Sequence, residues 1–286
     1  MEKENGFVTK LVARQQRIKS CLCVGLDPKR ERIPETFKAY GIPTAQSIYD
    51  FMINVVDRTA EFACAFKPNI WFYFRNRPMA ISALNRIVAY IRKNYPDIPI
   101  ILDFKCGDIG KTAFEAADGA YAYMHVDAVT ANPYCGVDSV SEFCNTDGKF
   151  AFVICKTTNR SSVDFQDIVC NDGSPLYMRV ARKVAAWDEN EFPNKLGLVA
   201  GATFPADIGR IVTASGKMPL LIPGIGAQGG DVEDMLKYAA AERATNRPLV
   251  INSSSGISNP QDITPHDAAA ALTHMINSHL PKNFYE

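Results

Sequence analysis

An α/β fold in which eight parallel strands alternate with helices and close into one barrel is the architecture this 286-residue sequence predicts. Three observations lead there. Short apolar runs and helix-period stretches alternate eight times, the rhythm of a parallel sheet with helical crossovers. Polar residues recur at the C-terminal tips of most strands, as a site gathered at a barrel mouth needs. The turn after the first strand lacks GxGxxG, which disfavours an open doubly wound sheet.

A helix-compatible start, 7–19, offers Phe7, Leu11 and Ile18 to one face. Strand one, 20–26, ends on Asp27 and Pro28. A helix follows Pro43 with Thr44 as its N-cap and Ile48, Phe51, Met52, Val55 and Val56 at helical spacing. Strand two, 62–66, runs into Lys67, Pro68 and Asn69; a helix over 78–94 leads to strand three, 98–103. A helix over 111–124 precedes strand four, 128–130, with Asn132 to Tyr134 at its tip, and 136–144 is a short helical piece. Strand five, 150–155, ends in Lys156, Thr157, Thr158 and Asn159. A polar loop, 160–174, is long enough to act as a lid before a helix over 175–189. Strands 196–200, 220–222 and 249–251 and helices 205–214, 231–243 and 265–278 complete the pattern. No composition break divides residues 1–286, so one domain is expected, and the chain ends too soon after the eighth helix for a second.

Basic and acidic side chains balance at 31 each, which argues against nucleic-acid binding through bulk charge. The eight cysteines form no CxxC pair and there are only four histidines, so buried reduced thiols are expected and a structural zinc site is not. The first ten residues have no apolar h-region, and no segment offers the roughly 18 uncharged apolar residues of a spanning helix. No membrane association and a cytoplasmic location are expected.

The chemistry is densest at IPIILDFKCGDIGKT, residues 98–112. Strand alternation gives Asp103 and Lys105 a common face, and Gly107 would let the backbone turn and bring Asp108 back toward them. Charges at the end of an apolar strand lose water and need partners, so such clusters are functional candidates, although a structural ion network looks the same. Barrel closure would bring Asp27, Lys67, Thr130, Asn132, Thr158, Gln228 and Asn252 to the same mouth. The glycine-rich run 222–231 leads into a helix after strand seven, the usual phosphate position in barrels; alone it is equally a tight turn. Taken alone, Lys67 reads better as a snorkelling side chain than as a site residue, and His125 reads as structural.

These residues closely resemble the orotidine 5'-monophosphate decarboxylase family, in its longer (type 2) form. The resemblance rests on DxKxxDI at Asp103, Lys105, Asp108 and Ile109, on Lys67 in AFKPN, and on CVGLDP (23–28), TANPYCG (130–136), VICKTTN (153–159), GLVAGAT (197–203) and PGIGAQGGD (223–231). It implies conversion of orotidine 5'-monophosphate to uridine 5'-monophosphate without metal or organic cofactor. Lys67, Asp103, Lys105 and Asp108 are the implied catalytic set. Lys105 would stabilise the carbanion and donate the proton, Asp103 would lie near the substrate carboxylate, and Lys67 would contact the ribose and hold Asp103 ionised. Asp27, Ile109, Thr112, Thr158, Gly226, Gln228 and Ser255 are the implied substrate-binding positions, with Thr157 competing with Thr158 for the base. Asp108 and Thr112 would serve the neighbouring subunit, implying a homodimer with shared sites.

The sequence departs from the family pattern after strand eight, where NxSRG is usual and this chain reads Asn252, Ser253, Ser254, Ser255, Gly256. A serine hydroxyl cannot give the bidentate, charge-assisted contact of a guanidinium. Weakened phosphate binding is expected, or replacement by another cation such as Arg160. Two rivals remain open: a metal-dependent sugar-phosphate decarboxylase or aldolase of the same superfamily, and a nucleotide-binding paralogue that has lost turnover.

Overall fold

The computed structural model describes residues 6–38, 43–75, 79–216, 218–225, 230–240, 248–260 and 263–286. Eight strands form one parallel sheet: β1 (Leu22–Leu26), β2 (Ala65–Pro68), β3 (Ile101–Cys106), β4 (Ala128–Ala131), β5 (Phe150–Lys156), β6 (Leu196–Ala200), β7 (Leu220–Pro223) and β8 (Leu249–Ser253). Their order is β2-β1-β8-β7-β6-β5-β4-β3. Parallel bridges Phe66↔Ile100 and Asn69↔Asp103 join the two ends, so the sheet closes into the expected barrel.

The helices are α1 (Gly6–Ile18), α2 (Ala45–Thr59), α3 (Ile70–Arg75), α4 (Met79–Asn94), α5 (Gly110–Asp118) and α6 (Ser141–Cys144), then α7 (Leu176–Asn190), α8 (Pro205–Ala214), α9 (Val232–Ala239), α10 (Ser255–Ser258) and α11 (Pro265–His279). Thr44 caps α2 as its sequence suggests, its hydroxyl accepting from Ser47 N at 3.1 Å. None of the helices described is long and apolar enough to cross a membrane.

Two apolar layers follow from strand alternation. The barrel interior receives at least one residue from every strand: Cys23, Ala65, Ile101, Ala128, Phe150 and Phe152, Val199, Leu221 and Val250. Phe7 and Leu11 of α1 join this cluster, and Phe7 stacks on Phe150 with ring centroids 4.8 Å apart. The other, larger layer lies between strands and helices and takes Ile48, Phe51, Met52, Val55 and Val56 of α2 and Ile208, Ile211 and Val212 of α8.

Three expectations shift. Strand two starts at Ala65 and carries Lys67 within it; Phe62 instead belongs to the turn closing α2, its N–H donating to Thr59 O at 3.0 Å. Helices α3 and α10 were not anticipated. The 160–174 loop is pinned rather than free: it contains a 3₁₀ turn at Arg160–Asp164, Lys156 Nζ bonds Asp167 at 2.5 Å, and Gln166 bonds Thr157 through both ends of its amide.

Candidate active site

The C-terminal ends of the strands surround a cleft of about 600 Å³, walled by Asp27, Lys67, Asn69, Asp103, Lys105, Thr157, Thr158, Asn252 and residues of the β1, β7 and β8 loops. Its charged centre is Asp103, with a side chain only 9% exposed. One oxygen accepts from Lys67 Nζ at 2.8 Å and Asn69 Nδ2 at 3.2 Å; the other accepts from Thr130 Oγ1 at 2.9 Å and from Lys105 Nζ. Burial alone would push the Asp103 pKa up, but the Lys67 and Lys105 charges outweigh it and hold the carboxyl well below the usual range.

The two lysines are set differently. Lys67 is 4% exposed, and burial opposes its charge; Asp103 and Asp27 more than offset that and raise its pKa. Lys105 is 42% exposed and reaches into the mouth from the opposite side of the carboxylate. Asp27 accepts Asn69 N–H at 3.2 Å, and burial pushes its pKa up against the opposing pull of Lys67.

Plain strand alternation does not account for the meeting of Asp103 and Lys105. The β3–β4 register shifts between Leu102 and Cys106, and Lys105 has φ of +53°, the left-handed region that a long side chain rarely adopts. Thr130 holds this bulge, its hydroxyl accepting both the Phe104 and Lys105 N–H groups at 3.0 Å while donating to Asp103. Backbone strain stabilised by surrounding contacts is characteristic of functional sites.

A model of the orotidine 5'-phosphate decarboxylase / HUMPS family matches residues 20–271. The chain belongs to that family. It is 43% identical over 269 residues to the orotidine 5'-phosphate decarboxylase of Azoarcus sp. (strain BH72), covering 93% of this chain and 96% of the relative. The Cellvibrio japonicus (strain Ueda107) orotidine 5'-phosphate decarboxylase is 39% identical over 271 residues, covering 94% and 96%. Among solved structures, Leishmania donovani OMP decarboxylase superposes with a TM-score of 0.81 at 32% identity, covering 96% of this chain and 98% of that one.

In this decarboxylase-family chain, Lys67, Asp103, Lys105, Asp27, Thr158 and Ser255 all line the cleft. Asp108, Ile109 and Thr112 do not; they are exposed beyond its rim, and Asp108 accepts from its neighbour Ile109 N–H rather than turning back to Lys105. Gly107 serves a close approach instead of a tight turn: a Cβ there would lie 2.8 Å from Asn132 Cβ. Gly226 and Gln228 lie outside the described residues. Of the paired threonines, Thr157 has its hydroxyl engaged by Asn159 and Gln166, whereas that of Thr158 makes no hydrogen bond among the described residues. Arg160 is not part of the cleft wall, and neither is His125, whose backbone carbonyl accepts twice from Arg92.

Sequence reasoning missed Ser254, Lys29 and Arg32, all in the wall. Gly25 was the available signal for Ser254: a Cβ at that position would sit 1.9 Å from Ser254 Oγ, so β1 needs glycine there for the serine to reach Asp27.

Proposed function

We propose that this chain decarboxylates orotidine 5'-monophosphate to uridine 5'-monophosphate in de novo pyrimidine biosynthesis, using fixed charge in place of a cofactor. The observation that carries the reading is the Asp103 carboxylate held between a fully buried lysine and a second lysine open to the cleft. Breaking the bond from the ring to its carboxylate releases carbon dioxide and leaves an electron pair in the plane of the pyrimidine, where the π-system cannot delocalise it. A cation beside that carbon must carry the stabilisation. Lys105 does so and then gives the carbon a proton, its amine being reprotonated from solvent; the net reaction consumes one proton and releases carbon dioxide. Lys67 keeps Asp103 ionised, and Asp103 holds the Lys105 ammonium where the carbanion forms.

Thr158 is the better candidate for the pyrimidine amide because its hydroxyl is uncommitted. The metal-dependent sugar-phosphate reading is less well supported: both oxygens of Asp103 are occupied by lysines, and the described residues contain no group of three or more His, Cys, Asp or Glu suited to a metal ion.

The chain also works as a homodimer with composite sites. Supporting this, Trp71, Phe74, Ile109, Phe114 and Tyr134 are all more than half exposed, and they follow β2, β3 and β4, which are neighbours in the barrel. Asp108, Ile109 and Thr112 sit on the same side, outside their own cleft, where a second copy could use them. A single domain over 1–286 is supported by the one closed sheet, and a cytoplasmic location by eight free cysteines.

Loss of the ultraviolet absorbance of orotidine 5'-monophosphate, followed with and without chelator, tests the reaction. Equal rates are expected. Abolition by chelator would favour the metal-dependent rival.

A further inference from the structure

We propose that Lys29 and Arg32, on the turn after β1, supply the positive charge that holds the 5'-phosphate; this rests on the nucleotide reading above. The catalytic half of the cleft is electrically closed. Its two lysines, Lys67 and Lys105, face two aspartates, Asp103 and Asp27, and leave no charge for a dianion. The wall built by the ends of β7 and β8, at Pro223, Gly224, Ile225, Asn252, Ser254 and Ser255, is uncharged. Of the described titratable residues lining the cleft only Lys29 and Arg32 remain, and together they give this described wall a net charge of two, which matches a phosphate dianion.

The turn is built to present these two side chains together. Arg32 N–H donates to Lys29 O at 2.8 Å, entering the 3₁₀ turn Arg30–Arg32. Three residues per turn place positions 29 and 32 over one another. Both therefore line the cleft, while Arg30 and Glu31 do not, and Glu31 lies 3.6 Å from Arg75 instead. Asn259 Nδ2 donates to Arg32 O at 2.6 Å, tying the turn to the end of α10, whose first residue is Ser255. Neither Lys29 nor Arg32 pairs with a carboxylate among the described residues. In the same wall Asn252, 6% exposed, has an Oδ1 with no hydrogen-bond partner among the described residues; as an acceptor it suits a ribose hydroxyl rather than the phosphate, which is left to the two cations. The charge absent at Ser255 is thus supplied from across the β1–β8 seam.

Binding of uridine 5'-monophosphate and of uridine is measured by calorimetry for the native chain, Arg32→Ala, Lys29→Ala and the double variant. Each single change is expected to weaken nucleotide binding on the order of 10-fold to 100-fold, the range for charge-assisted hydrogen bonds, with uridine affinity unchanged. Ser255→Arg in the Arg32→Ala background is expected to restore nucleotide affinity. Unchanged nucleotide affinity in the double variant overturns the assignment, as does an equal loss for uridine, which would mean that the turn shapes the cleft without reading phosphate. A native chain that decarboxylates normally while the variants bind normally sinks only this proposal; a native chain that neither binds the nucleotide nor turns over substrate sinks the functional reading with it.

Discussion

Replacing Asp103 with asparagine keeps the shape of the side chain and removes the charge around which the site is built. In the native chain four donors converge on this carboxylate, two of them ammonium groups. The amide would keep one acceptor oxygen and turn an NH₂ group toward a donor. Lys67, 4% exposed, would be left with Asp27 as the one remaining carboxylate beside it among the described residues. Removing one partner of a buried pair costs about 3–5 kcal/mol; Asp27 places this case near the lower end, about 3 kcal/mol. Urea unfolding of both proteins measures the difference. Its pH dependence identifies the origin. The folded-state pKa of Asp103 is depressed, so its contribution is present above the unfolded value of about 3.9 and is lost as pH falls toward the folded value. That of Lys67 is raised, so its contribution is present below about 10.4 and is lost as pH rises through the folded value. The difference between the proteins should therefore be flat from roughly pH 5 to 9 and shrink below about pH 4. A difference under about 1 kcal/mol at neutral pH, or one that does not shrink in acid, would mean that the Asp103 charge does not hold this part of the fold together.

Three further outcomes are expected. Gly25→Ala forces a Cβ to within 1.9 Å of Ser254 Oγ and 2.9 Å of Ser254 Cα, so β1 and β8 must part; thermal denaturation should report a loss of about 1–3 kcal/mol. Thr130→Val strips the Phe104 and Lys105 N–H groups of their acceptor and should cost about 1–3 kcal/mol, with turnover falling more than affinity for uridine 5'-monophosphate. Mixing inactive Lys105→Ala and Asp108→Asn subunits should restore activity to about a quarter of the sites, because half the dimers are mixed and each has one intact site; no recovery would show that Asp108 acts within its own subunit or not at all.

The barrel was legible because eight buried strands must read as short apolar runs, and the lysine and aspartate set because charge at such strand ends is rare enough to stand out. The reason for their meeting was not legible. Sequence pointed to a regular strand, whereas a bulge at Lys105, held by a hydroxyl 25 positions away, sets the geometry. Helix α3 escaped because Ile70 to Phe74 are all apolar, with Trp71 and Phe74 exposed, which erases the helical period. The start of β2 was misplaced because one apolar run covers both the end of α2 and the strand. Lys29 and Arg32 lie in a polar loop, where spacing has no meaning until the chain adopts a three-residue turn.

In the proposed mechanism Lys105, positioned by Asp103, performs the chemistry. Turnover of orotidine 5'-monophosphate by Lys105→Ala, measured beside its affinity for uridine 5'-monophosphate, tests this most directly. A loss of turnover on the order of 10²–10⁴-fold with product still bound is the predicted result. Full activity in the variant would contradict it.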